Sequence, residues 1–191
     1  MGYDVYGLNP KENTPKPEIL ATGEPWEMEE EDRQKWYEAS DKWEKENPGI
    51  YFRNNVWWWR PLWNYVCEVC EDVMSNEDMN AGCSNSGYKI SESTVDRMVE
   101  KLVVEIALDN HKKHEEAYME EIKNLPKEEC TICEGTGKRK EPPLVGAGEL
   151  RCNGCSGTGE KEAWESHYPF SAKNVEEFLS FLSESGGIQI C

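Results

Sequence analysis

A mainly helical α+β single domain with a small cysteine-built appendage is the fold class this sequence predicts, and three observations predict it. Apolar residues recur every three to four positions in several charge-rich segments. Short β-prone stretches, around Tyr3 to Tyr6 and at "IQI" near residue 190, are too brief for helices. Between residues 130 and 159 one eight-residue cysteine and glycine pattern is written twice. With 191 residues the chain has room for one domain carrying an appendage, and it is long enough to bury a real core.

Residues 1 to 25 hold Pro10, Pro15, Pro17 and Pro25 with little periodicity and read as an extended arm packed on something larger, with Tyr3, Val5 and Tyr6 in a short strand. From Trp26 to Glu46 nine carboxylates stand against four bases, and Trp36, Ala39 and Trp43 recur at helical spacing. That predicts a helix ended by "NPG", at the edge of the core because its apolar stripe is narrow. "YFRNNVWWWRPLW", residues 51 to 63, is split by Pro61. Before the proline, alternation places Trp57 and Trp59 on one face of an extended segment, with Val56 and Trp58 on the other. After it, Pro61 suits the first turn of a helix whose buried face is Leu62, Tyr65, Val66, Val69, Cys70 and Val73. "SNEDMNAGCSNSG", residues 75 to 87, reads as a polar loop.

A long central helix follows, opened by a capping-box-like Ser93 and Asp96 and striped by Val95, Met98, Val99, Leu102, Val103 and Ile106. Tyr118, Ile122 and Leu125 resume the stripe beyond "DNHKKHEE" until Pro126 stops it. Asn174 with Glu177 caps a last helix carrying Val175, Phe178, Leu179 and Leu182, and Gly186 and Gly187 end it before "IQI". The expected organisation is a helical core with its arm at 1–126, the appendage at 127–162, and a C-terminal helix and strand at 163–191 packing back on the core.

The charge balance excludes some functions. Lys and Arg number 21 against 38 Asp and Glu, a formal −17, which repels nucleic-acid phosphates and anionic membranes taken as a whole. Broad nucleic-acid binding is therefore not expected, whereas basic protein surfaces suit it. No run approaches the ~20 apolar residues of a membrane span, and "MGYDVYGLNP" has neither the charge nor the apolar core of a secretory signal, so the expected location is cytoplasmic. In that compartment eight cysteines, four of them in two close pairs, point to metal ligation in preference to disulfides.

"CTICEGTG" at 130–137 and "CNGCSGTG" at 152–159 share the pattern C-x-x-C-x-G-x-G. Two residues between thiolates let a tight turn aim both sulfurs at one ion, and the glycines permit the positive-φ backbone that carries the turn. Two such knuckles separated by 18 residues make one tetrahedral site of Cys130, Cys133, Cys152 and Cys155, and zinc is the ion that suits it. With four thiolates there is no open position, so the ion is structural and does not activate water. Four thiolates and one divalent ion add −2, taking the formal charge from −17 to −19. Lys138, Arg139 and Lys140 leave the first knuckle as the one locally basic segment, either a solvated loop or a contact point for an acidic partner.

The doubled motif resembles the cysteine-rich zinc module of DnaJ-type co-chaperones, and a similar module occurs in anti-TRAP proteins, which act by binding another protein. The resemblance covers about 30 residues; DnaJ proteins carry four copies, this chain has two, and no His-Pro-Asp signature of a J domain occurs in it. It implies a zinc hairpin fold with the four cysteines as ligands and a use in protein binding. "GYDVYGLNP", "YFRNNVWWWRPLW" and "FLSFLSESGGIQI" are similar to uncharacterised bacteriophage and bacterial proteins, which implies a phage protein directed at a host component.

Other candidates read more plainly. Cys67 and Cys70 form a third C-x-x-C near Cys83, but Cys70 sits on an apolar stripe and no glycines follow, so small buried residues are expected. Cys191 reads as a free thiol. His111 and His114, with Asp109 or Glu115 near, lack the H-E-x-x-H order and are expected on an exposed polar face; His167 stands alone. No phosphate-binding loop or activated nucleophile is identifiable, so no catalytic residue is assigned and no enzyme is expected. The cluster of Arg53, Trp57, Trp58, Trp59, Arg60 and Trp63 leaves three uses open: core packing, a protein interface, or a pocket in which tryptophans stack on a nucleobase while arginines take its phosphate. A core use requires Arg53 and Arg60 to meet carboxylates. The expected function is non-catalytic, binding and inhibiting another macromolecule such as a host enzyme or defence system, with sequestration of a small nucleotide as the alternative; a homo-oligomer stays open.

Overall fold

The computed structural model describes residues 2–139, 141 and 150–191. Lys140 and the tip of the basic insertion lie outside the described residues. Helix and strand are mixed, as expected, and the chain divides into two compact units, Met1–Glu115 with Phe170–Cys191, and Glu116–Pro169.

The first unit is built on a four-stranded antiparallel sheet of β1 (Gly2–Gly7), β2 (Tyr51–Asn55), β3 (Tyr88–Ile90) and β6 (Ile188–Ile190), in the order β2-β1-β6-β3. Val5 sits opposite Phe52 on one side and Ile190 on the other, and Ile90 opposite Ile188. Val5, Ile90, Ile188 and Ile190 are fully buried. The sheet packs against α2 (Val56–Val69) and α6 (Ala172–Ser185), and α4 (Glu92–Ala107) packs on those two helices; Trp59, Leu62, Met98, Leu102, Val175 and Phe178 complete the core. On the outer face of the sheet, Tyr6 pairs with Tyr51 and Asp4 with Arg53 across the β1–β2 ladder.

Helix α1 (Glu30–Glu46) keeps Trp36, Ala39 and Trp43 half-buried, in line with its narrow stripe. It anchors the proline-rich arm through Asn47, which is fully buried: its Oδ1 accepts from the Asn13 and Thr14 amides at 2.7 and 3.1 Å, and its Nδ2 donates to Thr14 Oγ1 and the Trp43 carbonyl. All four hydrogen-bonding positions of that amide are used, which offsets the cost of taking it out of water.

Six expectations are corrected. Val56–Trp59 is helical, not extended: the Asn55 side chain accepts from the Trp57 and Trp58 amides at 3.0 and 3.2 Å, capping α2 six residues before Pro61 and leaving the proline inside the helix. The loop at 75–87 contains α3 (Asn76–Ala81), opened by a Ser75–Asp78 capping box. The long central helix is two helices. Ser91, not Ser93, caps α4, and α5 (Asn110–Lys123) begins only after Asp109 enters the left-handed region at φ 54°. That break resets the helical phase, so His111 is fully buried instead of exposed, its Nε2 3.1 Å from Glu176 Oε1, and His114 packs between Tyr65 and Phe170. Asn174 does not cap α6; its Oδ1 accepts from Asn54 Nδ2 at 2.8 Å, and Ser171 takes the cap position.

The second unit contains the end of α5, a two-stranded ladder of β4 (Glu128–Glu129) and β5 (Glu160–Lys161), the cysteine repeats and a short 3-10 turn at Trp164–His167. Among the described residues no helix is long and apolar enough to cross a membrane.

Candidate metal centre

The two cysteine repeats form the same turn twice, related by an approximate twofold. Cys130 N donates to the Gly159 carbonyl at 2.8 Å, and Cys152 N donates to the Gly137 carbonyl at 2.9 Å. Thr136 and Thr158 hydroxyls donate to the Cys133 and Cys155 carbonyls at 2.6 and 2.7 Å. Glu134 and Ser156, the residues after each second cysteine, have φ of 50° and 51°, and the glycines that follow continue the left-handed turn. At Gly137 an added Cβ would lie 2.4 Å from the Gly157 carbonyl oxygen; at Gly159 it would lie 2.2 Å from that of Gly135. Backbone therefore packs on backbone where the two turns cross, and only glycine fits.

This geometry gathers the sulfurs of Cys130, Cys133, Cys152 and Cys155 within 4.8 Å of one another, all buried. Cys130 and Cys152 sulfurs are 3.9 Å apart, and Cys133 and Cys155 sulfurs 3.7 Å. Four thiolates bound tetrahedrally at ~2.3 Å have sulfurs ~3.8 Å apart. Two of the sulfur pairs already stand at that spacing and all four sulfurs lie within 4.8 Å of one another, so the donor set can hold a tetrahedral metal ion. Among the described residues it is the single group of three or more potential ligands close enough to share an ion.

The surroundings act oppositely on the two cysteines that receive backbone amides. Gly137 N and Gly159 N donate to the Cys133 and Cys155 sulfurs at 3.3 and 3.2 Å. Burial raises the Cys155 thiol, but the Gly159 amide and the neighbouring sulfurs outweigh it and bring the group to about 6. Burial and the adjoining sulfurs push Cys133 the other way, to about 11. Cationic groups frame the cluster: Arg151 donates from Nε and an η nitrogen to the Ser156 carbonyl at 2.9 and 2.6 Å, and Arg139 bonds the Asn153 side chain. Arg151, Thr136 and Thr158 escaped the sequence reading; the repeated "GTG" was the signal for the threonines. Lys138 is exposed and bridges to Arg151 through the backbone.

The tryptophan and arginine cluster is not gathered into one site. Trp59 and Trp63, four apart on α2, stack at 5.2 Å, and the second face of Trp59 stacks on Tyr3 at 5.1 Å. Both indoles are buried and donate to carbonyls, Trp59 to Gly82 and Trp63 to Met79, each at 2.8 Å. Trp58 is 37% exposed and Trp57 half-buried. Arg53 lies on the outer face of the sheet, 3.5 Å from Asp4. Arg60 lines a small cavity of about 240 Å³ with Trp63, Asn64, Gly82 and Cys83. Cys70 is fully buried and Cys67 partly so, and burial pushes both thiols up to about 12, while Cys83 is exposed.

Fold and site together define a mixed helix and strand chain carrying a four-thiolate centre able to hold a metal ion. Compared with family models, curated proteins and solved structures, the chain gives no match.

Proposed function

We propose that this chain is a non-catalytic, zinc-stabilised acidic protein that binds another macromolecule and inhibits it, of the kind a bacteriophage directs at a host enzyme or defence system in the cytoplasm. The observation that carries the reading is the closed thiolate set. Four buried sulfurs at tetrahedral spacing leave no coordination position for water or substrate, so the ion serves to fix a small surface and does no chemistry. Zinc is the ion proposed, because soft thiolates in a tetrahedral array favour it and the knuckle is of the DnaJ-type hairpin kind. The formal −17 supports a protein partner with a basic surface over nucleic acid or lipid. Nucleotide sequestration is not advanced, since both faces of Trp59 are already covered and Arg53 is paired with Asp4.

The test is native mass spectrometry of the protein purified gently from a bacterial lysate, alongside the C130S/C133S variant. One zinc per chain with a bound host protein, both lost from the variant while the first unit keeps its near-UV spectrum, is the expected result. Undiminished partner binding by the metal-free variant would overturn the proposal.

A further inference from the structure

The second unit carries a cleft that the metal centre does not use. Its wall is the C-terminal half of α5, where Glu116, Met119, Glu120 and Lys123 recur three to four apart and so share a face. Glu162 and Ser166 stand across it and Ile122 lies beneath, enclosing about 580 Å³. The apolar lining reaches solvent through Met119, 38% exposed, while Ile122 beneath it is buried. Three carboxylates rim it against one ammonium, and Glu162 also meets Lys127 at 3.1 Å.

We propose that this cleft is the docking groove for a basic amphipathic helix of a partner protein, with an apolar side chain or two seated on Met119 and Ile122 and flanking Lys or Arg side chains paired with Glu116 and Glu120. The inference rests on the interaction reading above and gives it a surface and a partner chemistry. A helical wall has its backbone hydrogen bonds satisfied internally, so it cannot recruit a peptide as an added strand and recognition runs through side chains; an apolar floor between charged rims matches the apolar stripe and charged flanks of an amphipathic helix, the helix-in-groove mode. Methionine is unbranched and polarisable, which lets it mould to an apolar side chain that is not its own neighbour. The acidic rim selects the sign of the partner. It repels phosphate backbones and anionic lipid, and a second copy of a chain with formal charge −17 is repelled for the same reason.

The experiment uses the full zinc-loaded chain and a fluorescein-labelled amphipathic helical peptide of Leu and Lys, with a control peptide carrying Glu at every Lys position. Fluorescence anisotropy should show the basic peptide binding with an affinity that falls as salt rises, and the acidic peptide not binding. E116K/E120K, both exposed on α5 and checked for unchanged circular dichroism and metal content, should weaken the basic peptide by at least about tenfold. No binding, equal binding by the acidic peptide, or equal binding by E116K/E120K would overturn the groove. A host protein held by the native chain and retained equally by E116K/E120K would also overturn the groove while leaving the interaction reading standing. A native chain that holds no protein at all would count against the interaction reading itself.

Discussion

Gly82→Ala tests how the aromatic core is assembled. Gly82 has φ −71° and ψ −3°, a right-handed conformation that alanine accepts, so the backbone alone predicts a gain of about 0.4–1 kcal/mol from a less flexible unfolded chain. Packing predicts the opposite. A Cβ at this position would lie 2.1 Å from Trp63 Nε1 and 2.3 Å from Cδ1 and Cε2, where an ordinary contact is about 3.5–4.0 Å. The ring must move by more than about 1 Å, but it is stacked on Trp59 at 5.2 Å and donates to Met79 at 2.8 Å. Overpacking costs about 1–3 kcal/mol and a buried indole N–H torn from its acceptor about 1–3 kcal/mol. Set against the backbone gain, the net loss is about 3 kcal/mol, which corresponds to a Tm lower by about 6–12 °C for a chain of this size. Urea titration followed by tryptophan fluorescence should show a lower midpoint with the same slope. In a Gly82→Ala, Trp63→Phe background the smaller ring should recover part of the loss, a positive coupling between the two sites. Stability of Gly82→Ala within about 0.5 kcal/mol of the parent would refute the packing argument.

Four further expectations follow from the same geometry. Gly137→Ala and Gly159→Ala should weaken metal binding to a similar degree, because the two turns are near-copies; left-handed strain of about 1–2 kcal/mol plus a clash with backbone of about 1–3 predicts roughly 100-fold, read by competition with a chromophoric chelator. Trp59→Ala should cost about 3–5 kcal/mol and Trp58→Ala under about 1, since one indole is fully buried and the other 37% exposed, as urea unfolding would show. Metal-loaded protein should show two fast thiols at neutral pH, Cys83 and Cys191, against eight after chelation and unfolding, measured with a chromogenic disulfide reagent. Cys67 and Cys70 stay protonated because burial raises them to about 12; their contribution to stability is full below the ordinary thiol value near 9 and is lost as pH climbs toward about 12.

The cysteine cluster was legible because ligand spacing and turn glycines are written into two eight-residue strings whose partners lie close in sequence. Helices α1 and α6 were legible from period alone, and β1 and β6 from brevity beside turn residues. The start of α2 was not, because in "VWWW" every position is apolar and alternation cannot be told from a helical stripe; the deciding group was the Asn55 side chain. At Asp109 no Gly or Pro marks the break, so the two-helix phase, and with it the burial of His111 against Glu176 from 65 residues away, could not be read locally. The pairing of Arg53 with Asp4 likewise depends on strand register, which no local pattern contains.

The sheet sets an order of events for folding. Strand β1 lies between β2 and β6, and Asp4 and Cys191 exchange backbone hydrogen bonds of 2.9 and 2.8 Å, so the middle of the sheet joins segments more than 180 residues apart. Closing such a loop is entropically costly and slow, and it cannot begin until residues 188–190 have left the ribosome. The knuckle needs only residues 130–159. Assembly of the thiolate cluster is thus a local step open to the chain early and closure of the aromatic core a late one, and a chain stalled between them would have its knuckle formed while Val5, Trp59 and Phe178 still lacked the strand that seals them.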